Sequence, residues 1–301
     1  MNGKENGEPA IVMSVVVITY RRERVLVDSL RHILELGPGE LIVVDQTPCH
    51  EPATDAALKE WMDAGPLRLL RKEQPSIPEA MNTGLIAARG EIVLFLDDDI
   101  VPNRELLKRH EEAHAERPEA GVVVGQVLQP GQHAEPLRAG EGFRGNATEQ
   151  AWIDWALAGN MSVKRRIALA VGGFDENFVG AAYHFETEFA RRMIAAGHRV
   201  LFEPRASIRH LRAGTGGTRS NGGHLTTWRP DHAVGAYYFA LVAGTPADIL
   251  RRFLRAAATR HHLRRPWWIP VTLLAELRGL VWALRLWLSG RRLLSSSPAG
   301  S

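Results

Sequence analysis

Apolar residues in the first hundred positions form short runs that alternate with helical spacings. Residues 11–18 are an almost unbroken β-branched run, the pattern of a strand buried on both faces. Leu26, Leu30, Ile33 and Leu34 then recur at i, i+4, i+7 and i+8, which places them on one face of a helix. Gly37-Pro38-Gly39 stops that helix, and residues 41–44 read as a second buried strand. Pro66 precedes a third apolar piece, 67–70. A helix is predicted over 78–88, closed by Gly90, and residues 92–96 follow as a strand. Strands and helices alternating at this spacing imply right-handed βαβ units and an α/β fold, a mostly parallel sheet with helices on both faces. In such sheets ligands bind outside the carboxyl ends of the strands. The polar residues there are Thr19-Tyr20-Arg21, Asp45-Gln46-Thr47 and Asp97-Asp98-Asp99, predicted to converge on one edge.

The last third is patterned differently. Residues 251–265, RRFLRAAATRHHLRR, carry six arginines and no acid, and an apolar, Trp-rich stretch follows to Leu288. Leu273, Leu277, Leu280, Leu284 and Trp287 form a helical stripe there, interrupted by Glu276, Arg278 and Arg285. Each central charge costs about 2.5 to 3.5 kcal/mol in a spanning helix, which weighs against insertion. Arginines ahead of an aromatic-rich amphipathic helix suit an anionic membrane surface, while packing on the rest of the chain or on a second subunit is the competing reading. The arginines match no nucleic-acid-binding motif, so a nucleic-acid partner is not expected.

Composition narrows the class. The chain has 301 residues, 37 Lys+Arg against 34 Asp+Glu, 45% apolar residues and a net charge of +3. That suits one large or two modest globular domains and argues against wholesale disorder or a multi-span membrane protein. Cys49 is the single cysteine, which excludes an intrachain disulfide and a cysteine-based zinc cluster and fits a reducing compartment. The first apolar run follows an acidic, Gly-rich start and has no small-residue cleavage site behind it, so a signal peptide is not expected. The expected location is cytoplasmic, peripheral on the inner face of the cell membrane.

Packing does not explain three consecutive aspartates after an apolar strand. Like charges so close raise one another's pKa unless a cation offsets them. Alternation points Asp97 and Asp99 the same way and Asp98 the other. Hard divalent cations take carboxylate oxygens together with substrate phosphates, so this cluster suits Mn²⁺ or Mg²⁺. The alternative is a solvated acidic turn in which Asp99 or Asn103 caps the next helix. Neither GxGxxG nor GxxxxGK[ST] follows the first strand, which argues against dinucleotide-binding and P-loop chemistry.

Five segments in order, SVVVITYRRER, LIVVDQT, IPEAMNTGLIAARGEIVLFLDDD, GNMSVKRRIALAVGGFDENF and ETEF…AAGHRVLFEP, closely resemble family-2 glycosyltransferases with the GT-A fold. The resemblance covers residues 11–215. It implies a GT-A catalytic domain over 11–228, a flexible start at 1–10 and a helical C-terminal region at 229–301. It further implies that Thr19, Tyr20, Arg21 and Arg24 line the donor-nucleotide pocket, that Asp45 holds the base, and that Asn82 and Gly84 lie beside the nucleotide. Asp97 and Asp99 match the outer positions of the DxD motif, with Asp98 between them in the nucleotide site, and Asp99, Asp97 and His210 are the implied metal ligands. Met81 stands where the family often has an arginine, and Gln46-Thr47 replace a commoner acidic pair.

The unit around Gly159-Asn160-Met161-Ser162 and Gly172–Asp175 looks like the family's acceptor side. Phe174 reads as a core residue and Asp175 as the cap of the next helix. In FETEF, anchoring on Gly197 sets Glu186 on the family's catalytic base, with Glu188 as second choice. A positioned carboxylate is needed there to take the acceptor's proton, although acids at a helix start also complement its dipole. The segment AGTGGTRSNGG, 213–223, resembles a loop that folds over the donor, or is a plain linker. The expectation is a metal-dependent inverting transfer of sugar from a nucleotide-diphosphate donor to a hydroxyl acceptor (a glycan, lipid-linked or other) in cell-surface polysaccharide or glycoconjugate synthesis. The rivals are a catalytically inactive membrane-associated scaffold and a sugar-nucleotide nucleotidyltransferase.

Overall fold

The strand β1 (Met13–Thr19) lies between β2 (Glu40–Asp45) and β4 (Ile92–Leu96) and is parallel to both. In this computed structural model, which describes residues 12–65, 67–137, 144–218 and 225–295, β-branched side chains of β1 bury on both faces as their run demands. Val15 and Val17 face α1 (Arg24–Leu34), whose Leu26, Leu30 and Ile33 are fully buried. Val16 faces α3 (Ile77–Ala87) on the other side. There a Cβ on Gly84 would sit 2.4 Å from Val16 Cγ1, so the helix lies close on the sheet only because Gly84 has no side chain. Helix α2 (Pro52–Ala64) leads into β3 (Leu67–Arg71), which extends the parallel part beyond β2.

Past β4 the pattern changes. The short β5 (Ile100–Pro102) and α4 (Leu106–Glu116) lead into β6 (Ala120–Leu128), and β7 (Ala151–Ile153), β8 (Asn160–Lys164), α5 (Arg165–Ala170), α6 (Phe185–Ala195) and β9 (Arg199–His210) complete the layer. The described strands form one sheet in the order β3-β2-β1-β4-β8-β6-β9-β5, with β7 also on β9. β8 runs antiparallel between β4 and β6 and makes the sheet mixed. Residues 160–164 do not read as a buried strand because Asn160 and Ser162 alternate with Met161 and Val163. All four are nevertheless buried: Met161 and Val163 enter the core, and the polar pair faces two histidines of α4.

That polar layer is a closed chain. His110 Nε2 bonds Asn160 Oδ1 at 2.9 Å, so Nε2 carries the ring's proton and Nδ1 accepts from the Ser162 hydroxyl at 2.8 Å. His114 Nε2 donates in turn to Ser162 Oγ at 2.9 Å. Both rings are neutral: burial pushes His110 down to about 4, and burial, with the charges of His110 and Lys164, pushes His114 down to about 3. The unfolded rings protonate near 6.5, so below that pH the unfolded state binds the extra proton and stability falls as pH falls. Asp98, held high by burial, works in the opposite sense, so the effect is read as a difference. Between pH 7 and 5, His114→Gln should lose about 2 kcal/mol less stability than wild type in urea unfolding. Equal losses in both proteins would contradict a neutral buried His114.

Helix α7 (Asp231–Ala243) packs on α6, and α8 (Pro246–Ala257), α9 (Arg260–Arg264) and α10 (Ile269–Leu288) follow it. α10 meets α7 through Thr272, Ala275, Glu276, Gly279 and Ala283; a Cβ on Gly279 would come 2.5 Å from Ala233 Cβ. The predicted stripe is therefore not the buried face: Leu277, Leu284 and Trp287 are exposed. Beyond α10 the chain returns to the region after α5, where Leu294 N bonds Gly172 O at 2.8 Å. Phe174 is fully buried, edge-on to Phe95. Asp175 caps no helix. Its carboxylate accepts from Tyr238 Oη at 2.9 Å, Asn177 N at 3.1 Å and Arg292 N at 3.2 Å, which ties the C-terminal segment down. The expectation of a flexible 1–10 lies outside the described residues.

Candidate active site

A cavity of about 580 Å³ opens at the carboxyl ends of β1 and β4. The three aspartates follow directly from β4, where Asp97 N donates to Gly159 O at 3.2 Å. Asp98 turns away from its neighbours and accepts from Thr19 Oγ1 at 2.7 Å, with Arg22 Nε 3.3 Å off. Burial, reinforced by the charges of Asp99 and Asp97, pushes it up to about 7 against the pull of Arg22 and Thr19. Asp98 thus locks the end of β1 to the end of β4.

Asp97 and Asp99 meet His210 from the end of β9. His210 Nε2 lies 3.0 Å from Asp99 Oδ1 and 3.6 Å from Asp97 Oδ2, while its Nδ1 donates to Gln129 Oε1 at 3.0 Å. With Nδ1–H committed to Gln129, the Nε2 side faces two carboxylates and must carry either a proton or a cation. The Asp99 hydrogen bond accordingly raises the His210 pKa, despite burial. Burial works to raise Asp99, and the His210 and Ala213 N–H bonds outweigh it and hold the carboxyl below its ordinary value. One ligand atom from each of Asp97, Asp99 and His210 falls within 4.8 Å of the others. Two carboxylates and an imidazole oriented by a neighbouring amide are a donor set that fits Mn²⁺ or Mg²⁺.

Among Arg21, Arg22 and Arg24 it is Arg22 that lines the cavity, with Arg212 also in its wall, and the sequence motif did not separate Arg22 from its neighbours. The backbone at Arg21 is left-handed, φ +53°, which lays the Arg21 guanidinium over Tyr20 and turns Arg22 inward onto Asp98 and Asp99. Arg21 is not part of the cavity wall, and Arg24 is 92% exposed and paired with Asp28. Arg22 also holds the carbonyls of Ala213 and Thr215. Gly217 N donates to Tyr20 O at 2.8 Å, and a Cβ on Gly216, φ +74°, would lie 2.1 Å from Arg21 O. Residues 212–218 are thereby laid against the cavity mouth; the rest of the predicted donor loop, 219–223, lies outside the described residues.

Several expected positions support the site from behind. Asp45 is fully buried, its oxygens taken by Thr47 N, His50 Nε2 and Arg71, and Gln46 reaches the cavity in its place. Asn82 clamps Phe174, donating to its carbonyl and accepting from its amide at 2.8 Å each, and Gly84 meets Val16, so neither touches the cavity. Glu186 and Phe185 form the wall at the first turn of α6. Glu188 is 1% exposed and accepts from Arg192 at 2.8 and 3.0 Å and from Arg291, which makes it a tether for the C-terminal segment.

The Glycosyl transferase family 2 model matches residues 14–172, half of the chain, including β4 and the three aspartates that follow it. The chain belongs to glycosyl transferase family 2. Among curated proteins, it is 26% identical to the O-antigen biosynthesis protein RfbC of Myxococcus xanthus over 206 residues, 62% of this chain and 16% of that protein. It is 24% identical to the glucosyl-dolichyl phosphate glucuronosyltransferase of Haloferax volcanii, covering 66% of this chain and 68% of that one. The chain thus spans a small part of the first of these relatives. Among solved family folds, the S. aureus TarS fragment 1–349 with UDP-GlcNAc matches 91% of this chain and 79% of its own at TM-score 0.61 and 17% identity. The mannosyltransferase PcManGT of Pyrobaculum calidifontis, solved with GDP-Man and Mn²⁺, matches 92% and 79% at TM-score 0.53 and 21% identity. These structures share the GT-A fold with this family-2 chain.

Proposed function

We propose that this family-2 glycosyltransferase moves a glycosyl group from a nucleoside-diphosphate sugar to a hydroxyl acceptor with inversion at the anomeric carbon. The observation that carries the reading is one cavity with Asp97, Asp99 and His210 on one wall and Glu186 on another. Asp97, Asp99 and His210 would hold a divalent cation, and its charge would stabilise the departing diphosphate. Gln129 fixes the imidazole so that Nε2 faces the cluster, and Arg22, held by Asp98 and the 213–215 carbonyls, keeps a positive charge beside it. Glu186 takes the acceptor hydroxyl proton as the new carbon–oxygen bond forms. The anomeric carbon–phosphate oxygen bond breaks with its electron pair leaving on the nucleoside diphosphate. One displacement inverts the centre, so no enzyme nucleophile is required.

Similarity to an O-antigen biosynthesis protein and a glucosyl-dolichyl phosphate glucuronosyltransferase supports an acceptor in polysaccharide or lipid-linked glycan assembly. The experiment is nucleoside-diphosphate release by the full chain from UDP-, GDP- and dTDP-sugars with Mn²⁺, with EDTA controls. Metal-dependent release with one donor is expected. Pyrophosphate release would favour a nucleotidyltransferase, and no turnover with any donor would favour a binding scaffold.

A further inference from the structure

Helix α10 is built inside out. Its small residues face α7, while Leu274, Leu277, Val281, Leu284 and Leu288, spaced by three or four, are 37–76% exposed. Leu250 and Leu254 of α8 (60 and 61% exposed), Leu263 (83%) and Trp267 (65%) extend the apolar surface. Among the described residues, ten of the seventeen exposed large hydrophobics fall between Leu250 and Leu288. A soluble monomer scatters such residues singly; a concentrated set marks an interface.

Charge identifies what covers it. Arg251, Arg255, Arg260, Arg264, Arg265 and Arg278 are exposed on the same three helices. The acids nearby are spent: Glu276 is buried against Arg252 at 3.0 Å, and Asp248 is held by Thr245 and Arg251 in the first turn of α8. A second copy of this chain would bring arginine against arginine, and a nucleic acid would leave the leucine stripe in water. A surface that takes both an apolar stripe and a set of exposed guanidinium groups is an anionic lipid leaflet. No helix among the described residues is long and apolar enough to cross a membrane, so the mode is lateral. Trp267 and Trp287 sit near the two ends of α10, where interfacial aromatics anchor.

We propose that α8, α9 and α10 dock this chain on an anionic membrane surface, with the exposed leucine stripe inserted at the headgroup level and the arginines over acidic lipid headgroups. The same helices also hold residues 225–228, since Thr272 Oγ1 donates to Leu225 O at 3.0 Å and Arg278 stacks on Trp228 at 4.5 Å. Docking requires no catalysis, so it stands or falls separately from the proposed transfer.

The test is co-sedimentation of the full chain with phosphatidylcholine vesicles, with and without about 30% phosphatidylglycerol. Binding to the anionic vesicles should be at least roughly tenfold tighter and should fall when salt is raised from about 0.1 to about 0.5 M. Leu277→Asp/Val281→Asp should cut it by about tenfold or more with the far-UV spectrum unchanged. Arg260→Glu/Arg264→Glu/Arg265→Glu should cost roughly a hundredfold. A blue shift of tryptophan emission on adding anionic vesicles to wild type reads insertion without any variant. No sedimentation of folded wild type would overturn the proposal. So would binding indifferent to the leucine-stripe substitutions, or an oligomer in solution that those substitutions dissolve while vesicle binding is absent.

Discussion

Asp99→Asn should weaken Mn²⁺-dependent binding of a nucleoside diphosphate by at least about a hundredfold, measured by calorimetry with and without EDTA. The side chain is 2% exposed overall, and one oxygen faces His210 while the other is fixed by Ala213 N at 2.8 Å. Asparagine keeps the shape and removes the charge, so the donor set loses its most buried anion. The fold should survive, because the bond between Thr19 and Asp98 that joins β1 to β4 is untouched. Equal affinity for the nucleotide in wild type and variant, with Mn²⁺ present, would remove Asp99 from the metal site.

Glu186→Gln should leave donor affinity within about twofold of wild type while lowering kcat by about 10²- to 10⁴-fold, the span that a positioned general base contributes. The cavity keeps its shape, and only the capacity to accept the acceptor's proton is lost. Glu188 gives the contrasting outcome from two positions along the same helix. Its carboxylate is buried between Arg192 and Arg291, so Glu188→Gln should lower stability by about 3 kcal/mol, seen as a reduced urea midpoint. Transfer lost in the folded Glu188→Gln protein and retained in Glu186→Gln would reverse the assignment.

The strands around the site were legible because they are buried on both faces and so read as unbroken apolar runs. β8 was not, since half of its buried side chains are polar and find their partners far off in sequence, on α4 some fifty residues earlier and on the backbone of Gln126 and Ala206. Asp97, Asp99 and Thr19 were legible as site candidates from their places after strands, whereas Glu186, which lines the same cavity, came from the family resemblance anchored on Gly197. The choice among Arg21, Arg22 and Arg24 was not: it is made by the left-handed turn at Arg21, which no spacing rule encodes. Asp45 shows a similar limit. A carboxylate after β2 invites a ligand role, yet His50 and Arg71, which consume it, come from a following loop and a neighbouring strand. For α10 the stripe was legible and the way it turns was not, because a membrane surface and packing on the chain were both open and a helix can pack on Ala, Gly and Thr and leave its leucines outward. The residues of that small-residue face are unremarkable on their own in the sequence.

The central claim is that Asp97, Asp99 and His210 hold a divalent cation against the diphosphate of the donor. It is tested most directly by anomalous diffraction at the manganese edge from crystals grown with Mn²⁺ and a nucleoside diphosphate. One anomalous peak is expected among Asp97, Asp99 and His210, beside the bound diphosphate. Nucleotide bound in the cavity with no peak at those three residues would contradict it.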